Sequence, residues 1–336
     1  MTNEPTTTTT LLAVAKGFDW KEFARKYMII GVLIAFIVAL AVMTEGNSIQ
    51  PINLINIVRQ VSAIGIIAVG MTFVIITLGI DLSVGSILAL SAVVSTSLAQ
   101  NMSESMKFAG LDLPVIVAVL GGLAIGALAG LTNGILIAKF RLAPFIATLG
   151  MMSIARGLAY IYSNGRPISN LKDDFNYIGQ EYIFGVPIPV LLFLGVALVA
   201  HIILGYTKFG RYVYAIGGNE IAARVSGIRI PRVTIYIYTL IGLLSGLAGV
   251  VLAGRIGSGN PDLGTGIELD AITATIIGGT SFKGGIGTIW GTIVGALLIG
   301  IINNGLDLLN VSPFMQMVVK GAIIIVAIII DERKNA

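Results

Sequence analysis

Ten long apolar segments occupy most of this chain, and they constrain its fold more than any other sequence feature. A helix needs about 20 apolar residues to cross a hydrocarbon core of about 30 Å. The segments lie at 27–43, 61–79, 84–101, 114–138, 144–163, 189–206, 234–253, 270–281, 286–305 and 314–330. Their apolar runs are continuous rather than alternating, which argues against a transmembrane β-barrel. The sequence predicts an all-α integral membrane protein with about ten transmembrane helices, or eight full spans plus half-helices, since the eighth segment is short.

Composition excludes the main soluble alternatives. Only 11% of the 336 residues are charged, against about 25% in a typical soluble domain. The chain has no cysteine and one histidine, His201. These counts exclude a soluble enzyme, a disulfide scaffold and a thiolate metal site. We therefore expect no metal and no cofactor in this chain.

The basic residues predict an orientation in the membrane. If the N-terminus is cytoplasmic and ten spans alternate, fourteen of the 21 basic residues lie on the cytoplasmic side, four lie outside and three lie within spans. This distribution follows the positive-inside rule, so the basic character reflects topology and does not indicate nucleic-acid binding. We predict that both termini are cytoplasmic. Residues 1–26 then form a cytoplasmic segment, and residues 27–335 form a single transmembrane domain.

Three short motifs occur twice, in the same order. Gly79–Ser83 recurs as Gly266–Asp270, and Leu142–Ile146 recurs as Val311–Met315. A third pair is Gly126–Gly134 with Gly295–Gly305. In the ten-span topology the copies face opposite sides of the membrane, so 52–163 and 234–331 are predicted to be inverted repeats. Inverted repeats are a common transporter design, with the substrate path at their interface.

Glycines recur at every fourth position in both repeats, which places them on one helix face. Such spacing lets two helix backbones approach closely in a membrane. We favour this packing role over direct contact with a substrate. The glycines are Gly122, Gly126, Gly130 and Gly134 in the first repeat, and Gly287, Gly291 and Gly295 in the second.

The polar loop 208–233 contains a predicted short helix. Asn219 is a favoured N-cap, Glu220 complements the helix dipole, and Gly227 can end the helix. Small residues on a short exposed helix suit insertion into the groove of a partner protein. A solvated connector would show the same composition, and the residues alone leave both interpretations open.

The order and content of several motifs resemble the ribose-type sugar permease family of ABC importers. The motifs are Gly70–Ser86, Pro144–Gly150, Ala215–Gly227, Gly266–Ile272 and Gly278–Ser281, and the resemblance covers about residues 30–332. Ribose permeases match these motifs best, and galactose, xylose and autoinducer-2 permeases are related. The resemblance implies a type II ABC importer fold and a monosaccharide as cargo, with ribose favoured.

The resemblance also implies partners and roles. It implies a second permease chain, identical or different, a cytoplasmic ATP-binding cassette subunit, a periplasmic sugar-binding protein and a place in the bacterial inner membrane. The chain itself contains no Gly-x-x-x-x-Gly-Lys-Ser/Thr loop, so we expect ATP hydrolysis by the partner rather than by this chain. Coupling to the ATPase is implied for Gly218, Asn219, Glu220, Ala222, Ala223, Arg224 and Gly227.

Polar residues inside the spans are candidates for the translocation path. Asn133, Asn303 and Asn304 are amides that must form hydrogen bonds, either between helices or with a sugar in transit. For Arg156 and Lys320 we favour ion pairing inside the protein. The acidic residues fall at span ends or in loops, which argues against an ion-coupled secondary transporter. No cluster of catalytic or metal-ligating residues supports a membrane enzyme.

Overall fold

The computed structural model describes residues 20–102, 107 and 112–334 of the chain. Most of the segment 1–26 lies outside these residues, and the first helix begins before that segment ends. The described part contains a 3-10 turn (Asn47–Ile49) and the antiparallel strands β1 (Tyr182–Ile183) and β2 (Val186–Pro187). Its helices are α1 (Trp20–Met43), α2 (Pro51–Ile76), α3 (Val84–Leu98), α4 (Val115–Ala138), α5 (Pro144–Ser163), α6 (Asp173–Gln180), α7 (Ile188–Tyr206), α8 (Lys208–Gly218), α9 (Glu220–Val225), α10 (Ile230–Ile256), α11 (Ile267–Ile277), α12 (Ile289–Leu308) and α13 (Pro313–Lys334).

Each of the ten apolar segments coincides with a helix, which confirms the predicted all-α membrane architecture. Within the described residues, six helices are long and apolar enough to cross a membrane: α2, α4, α5, α7, α10 and α12. Shorter apolar helices are formed by Ile30–Met43 in α1, by α3, and by Pro313–Ile329 in α13. The remaining segment forms α11, which has only 11 residues.

Two of the ten helices are half-helices that begin inside the bundle. At 1.5 Å per residue, α3 is about 22 Å long and α11 about 16 Å, so neither spans a 30 Å core. Each follows a non-helical stretch, 77–83 before α3 and 257–266 before α11. The starts of the two half-helices meet, because Gly85 packs against the carbonyl of Gly264 and the carboxylate of Glu268. Non-helical backbone is tolerated at such depth because protein surrounds it.

The first helix of each repeat packs against helices of the other repeat. The first helix of the second repeat, α10, packs on α3 and α4 of the first repeat. In the same way α2, which opens the first repeat, packs on α11 and α12 of the second. This exchange is the arrangement that a pseudo-two-fold relation between inverted repeats produces. The central helices α2 and α10 are accordingly the most buried of the six long apolar helices.

The glycines of α4 lie against α10. A Cβ on Gly126 would collide with the carbonyl oxygen of Gly242, and a Cβ on Gly130 with that of Tyr238. Gly134 lies against the backbone of Ile235, and a Cβ on Gly122 would come within 2.8 Å of the Val250 side chain. The two helix backbones are therefore in direct contact across the two repeats.

The glycines of the second repeat pack differently. Gly291 and Gly295 lie against the backbone of Gly278 and Ala274, so they join α12 to α11 within one repeat. Gly287 precedes α12, which begins at Ile289. It therefore lies in the loop before the helix rather than on a helix face, and it contacts the Thr280 side chain.

The two ends of the bundle carry different structures. Helix α10 is about 40 Å long at 1.5 Å per residue, and its first residues follow α9. Its last residues pack against α6, where Gly179 lies on the backbone of Gly254 and Arg255. The α8–α9 segment thus lies at one end of the bundle, and α6 with the β1–β2 hairpin lies at the other.

Candidate functional site

Capping interactions define α9 as a short separate helix. The Asn219 side-chain oxygen accepts a hydrogen bond from the backbone N–H of Ala222 at 2.9 Å. At the other end Gly227 adopts φ +84° and its N–H bonds the carbonyl of Arg224 at 3.0 Å. The N–H of Ile228 bonds the carbonyl of Ala223 at 3.1 Å, which completes a Schellman motif.

The exposed surface of α9 is partly apolar. Ala223 is buried and anchors the helix, whereas Gly218, Asn219, Glu220, Ala222, Arg224 and Gly227 are exposed. Glu220 and Arg224 form an exposed i,i+4 ion pair of 2.6 Å. Ile221 and Val225 are 77% and 83% exposed. Sequence reasoning missed these two residues, although their spacing of four in a polar loop was visible.

The α8–α9 segment is joined to the bundle through backbone contacts. A Cβ on Gly217 would collide with the carbonyl oxygen of Ile76, at the end of α2. The same carbonyl accepts a hydrogen bond of 2.9 Å from the N–H of Gly285, in the loop before α12. The Tyr214 hydroxyl donates to the carbonyl of Gly287 at 2.7 Å, and burial raises the pKa of that phenol. The phenol therefore stays protonated and can donate at neutral pH.

A cluster of polar side chains lies at the start of α11. Lys320 donates from Nζ to Oδ2 of Asp270 at 2.9 Å, and Asn303 donates to the same oxygen at 3.2 Å. Asp270 and Asn303 are both buried. Three helices, α11, α12 and α13, thus meet at one carboxylate. The predicted pairing of Lys320 is observed, and the structure identifies Asp270 as its partner.

The first repeat has a matching cluster at the start of α3. Oδ1 of Asp81 accepts a hydrogen bond from the backbone N–H of Ser83 at 2.8 Å, and Asn133 donates to the Ser83 hydroxyl at 2.9 Å. All three residues are buried. Ser83 and Asp270 are the last residues of the repeated motif, and each accepts a hydrogen bond from an asparagine. The repeat therefore conserves this amide contact between its two copies.

The clusters differ in their charges. Lys320 lies seven residues after Pro313, and Met151 lies seven residues after Pro144 in the first repeat. A buried methionine therefore replaces the lysine. Asp81 lies in the non-helical stretch before α3, and Asp270 lies in the first turn of α11. Because both half-helices begin inside the bundle, these two carboxylates are buried within the protein. This weakens the sequence argument against an ion-coupled transporter.

Arg156 holds the non-helical segment 257–266, which precedes α11, through hydrogen bonds to its backbone. Its guanidinium donates to the carbonyl oxygens of Pro261 and Leu263, the latter at 2.9 Å. Arg156 belongs to α5 of the first repeat, so this contact links the repeats near the starts of both half-helices. The interior role predicted for Arg156 is observed, although its hydrogen-bond partners are backbone carbonyls.

The three candidate path amides do not share one location. Asn304 exchanges two hydrogen bonds of 2.9 Å with Asn53, which joins α12 to α2. Asn133 is bonded to Ser83 in the first repeat. Asn303 lines a cavity of about 210 Å³ between α2 of the first repeat and the helices of the second, and the other two amides do not line it. In the part of the chain that the structure describes, no three His, Cys, Asp or Glu residues are grouped as metal ligands would be.

Known proteins are similar to this chain along nearly its full length. Residues 53–328 match the family described as branched-chain amino acid transport system, permease component. The ribose import permease of Bacillus subtilis is 46% identical over 86% of this chain and 87% of its own length. That of Escherichia coli K12 is 45% identical over 90% and 93%. The galactose/methyl galactoside permease of Haemophilus influenzae is 37% identical over 96% and 97%. No solved structure matches the chain.

Proposed function

The chain belongs to this permease-component family, and from that premise we propose that it is the transmembrane subunit of an ABC importer for a monosaccharide, with ribose as the favoured cargo. One observation carries the proposal. Ribose import permeases from two bacteria are 46% and 45% identical to the chain over at least 86% of its length. The similarity thus includes both repeats and the α8–α9 segment.

The proposed importer needs an ATPase subunit, because the sequence lacks a nucleotide-binding loop of the Gly-x-x-x-x-Gly-Lys-Ser/Thr type. We place its docking surface on α9. Exposed Ile221 and Val225 provide apolar anchors, and the Glu220–Arg224 pair lies beside them. The contacts of α8 with the end of α2 and with the loop before α12 give a route from this surface to both repeats. This proposal assigns coupling roles to Gly218, Asn219, Glu220, Ala222, Ala223, Arg224 and Gly227, together with Ile221 and Val225.

The remaining partners follow from the same proposal. A second permease copy completes the pore, and a periplasmic binding protein delivers the sugar to the end of the bundle that carries α6 and the hairpin. That end is the outer face if the N-terminus is cytoplasmic, as the distribution of basic residues predicts. The location is then the bacterial inner membrane.

Reconstituted transport tests this function. The chain is incorporated into liposomes with its ATPase and binding protein, and uptake of labelled D-ribose is measured with and without internal ATP. We expect uptake that requires ATP and both partners. Ribose uptake by the permease alone, driven by a sodium or proton gradient, would contradict the proposal and support a secondary transporter.

A different sugar is the second candidate cargo, because a galactose/methyl galactoside permease is 37% identical over 96% of the chain. Competition distinguishes the two sugars. Excess unlabelled ribose, galactose, xylose or L-leucine is added to the same uptake assay. The cargo is the compound that suppresses labelled uptake at the lowest concentration.

A further inference from the structure

Four exposed basic residues lie at the starts of the two helices that flank α9. Lys208 and Arg211 occupy the first turn of α8. Arg229 is the N-cap residue of α10, and Arg232 lies in the first turn of that helix. All four residues are exposed, and we call them the basic patch. None of them pairs with a carboxylate among the residues that the structure describes.

The two helix starts are neighbours. The ring centroids of Phe209 in α8 and Tyr236 in α10 lie 6.4 Å apart. Lys208 directly precedes Phe209, and Arg232 precedes Tyr236 by four residues, which places it on the same face of α10. The basic residues of both helices therefore border one surface.

The chain supplies no charge that balances the basic patch. Between Glu181 and Asp262 the one acidic residue is Glu220, and it already pairs with Arg224. A helix N-terminus carries a partial positive charge, so acidic residues are favourable there and basic residues are not. The first turns of α8 and α10 contain no acidic residue. Two helix N-termini and four cations thus reinforce one another, and an external anion would stabilise this surface.

Helix lengths place the basic patch at the level of lipid headgroups. Helix α7 has 19 residues and is about 28 Å long, so it just crosses a hydrocarbon core of about 30 Å. Lys208 lies two residues after the end of α7. In α10, the segment from Tyr236 to Ile256 also covers about 30 Å, which leaves Arg229 and Arg232 just beyond the core.

Exposed aromatic residues mark the same level. Tyr206 ends α7, and Trp290 lies in the first turn of α12. Both are exposed, as is Tyr236. The rings of Tyr206 and Trp290 both contact the ring of His201, at centroid distances of 5.8 and 5.7 Å. Because tyrosine and tryptophan are enriched where a membrane meets water, this end of the bundle meets headgroups beside the basic patch.

An apolar stripe leads along α7 to the basic patch. Leu194, Leu198, Ile202 and Tyr206 are exposed and spaced by four residues, so they share one face of the helix. Acyl chains can lie along this stripe while a phosphate reaches Lys208. A soluble anion or an acidic protein surface would use the charges but not the stripe, so the two features together favour a lipid.

We propose that the basic patch binds the headgroup of an anionic phospholipid in the leaflet on the α9 side of the membrane. Basic pockets between helices bind such headgroups in other membrane proteins. The bound lipid neutralises the starts of α8 and α10 and holds them together, and α9 lies between these two helices in the chain. The inference goes beyond the proposed function, because it concerns neither the cargo nor a protein partner.

Lipid binding to the purified permease tests the proposal. Delipidated protein in neutral detergent is titrated with dioleoylphosphatidylglycerol or dioleoylphosphatidylcholine, and native mass spectrometry counts the bound lipids. We expect the first phosphatidylglycerol to bind roughly tenfold more tightly than phosphatidylcholine. Lys208→Gln/Arg232→Gln should abolish this preference, since each basic residue at an anionic lipid surface contributes up to roughly fivefold in affinity. Its affinity for phosphatidylcholine should not change.

Two further variants serve as controls. Arg166→Gln removes one exposed charge at the opposite end of the bundle, near the bridge between Ile168 and Gly259, and should retain the preference. Lys208→Arg/Arg232→Lys keeps both charges and should retain it as well. Thermal unfolding of each variant without added lipid shows whether the substitution has damaged the fold.

Three results would overturn the proposal. Equal affinity of the natural chain for the two lipids, or an unchanged preference in Lys208→Gln/Arg232→Gln, would show that the patch does not recognise lipid charge. Displacement of phosphatidylglycerol by free glycerol 3-phosphate would assign the patch to a soluble phosphate. Weaker ATPase binding by the double variant in phosphatidylcholine liposomes, without any lipid preference in the permease, would assign the patch to the partner protein.

Discussion

A single lysine distinguishes the polar clusters of the two repeats. Lys320 pairs with the buried carboxylate of Asp270, whereas the first repeat has Met151 and Ser83 at the corresponding positions. Removing one partner of a buried pair leaves an uncompensated charge, which costs more than the pair itself contributes. The charges at these two positions are therefore balanced in each repeat. The second repeat has a lysine beside an aspartate, and the first has a neutral methionine and a neutral serine.

We expect Lys320→Met to reduce stability by about 2–4 kcal/mol, because Asp270 then lacks its cation. The double variant Lys320→Met/Asp270→Ser copies the first repeat and should recover most of that loss. Thermal unfolding of the three proteins in detergent measures both effects. A double variant no more stable than the single one would show that the charge of Asp270 is not the cause.

At the scale of elements, glycine decides how closely α4 and α10 approach. The helices touch through backbone atoms at Gly126 and Gly130, and such contact provides the packing attraction that replaces hydrophobic drive within lipid. The sequence spacing predicted a packed face on α4. The spacing could not identify α10 as the helix that packs on this face, because the choice of partner helix depends on how the two repeats interlock.

Gly126→Ala should lower the yield of folded protein, since the new Cβ collides with the Gly242 carbonyl. Gly157→Ala is the matched control, because an added Cβ there has no atom within 4 Å. Alanine is otherwise the better helix former by about 1 kcal/mol, so the control should fold at least as well as the natural chain. Size-exclusion profiles of fluorescently tagged variants give the folded fraction. Equal profiles for both variants would argue against close packing at Gly126.

The other element with a proposed role is α9, whose exposed apolar residues are unusual for a solvated connector. We expect Ile221→Ser/Val225→Ser to insert into the membrane normally and to lower sugar-stimulated ATP hydrolysis roughly tenfold or more, since each apolar anchor contributes about 1–2 kcal/mol. Ser226→Ala on the same segment should leave hydrolysis unchanged.

The end of α9 can be tested separately. Gly227→Leu puts a side chain where φ is +84°, so this change combined with Glu220→Ala should uncouple hydrolysis from sugar while insertion is retained. Full coupling in this variant and in Ile221→Ser/Val225→Ser would show that the segment is only a connector.

At the scale of the whole molecule, two inverted repeats interlock around the starts of two half-helices. The long central helices α2 and α10 each pack against the opposite repeat, and α10 extends from the α8–α9 segment to α6. Motion of α8–α9 therefore has a direct structural connection to the polar clusters. The arrangement also fixes which parts of the chain share a face of the membrane, whichever way the protein is inserted.

Single cysteines test the orientation. Phe184→Cys lies in the turn between β1 and β2, at a fully exposed position, and Ser226→Cys lies beside α9. An impermeant maleimide should label Phe184→Cys in intact spheroplasts and Ser226→Cys only after permeabilisation. The opposite pattern would show that the N-terminus is outside and would remove α9 from the ATPase side.

The helices, their approximate limits and the repetition of motifs could be predicted from the chain alone, because apolar length and motif order are local properties. The sequence also indicated the cap of α9 and the interior roles of Arg156 and Lys320. The fold was needed to show that α3 and α11 begin inside the bundle, and that Asp270 is the partner of Lys320. The fold also places Asn303, unlike Asn133 and Asn304, in the lining of the cavity near the start of α11. These are contacts between residues distant in the chain, and their geometry depends on how ten helices pack, which no local pattern encodes.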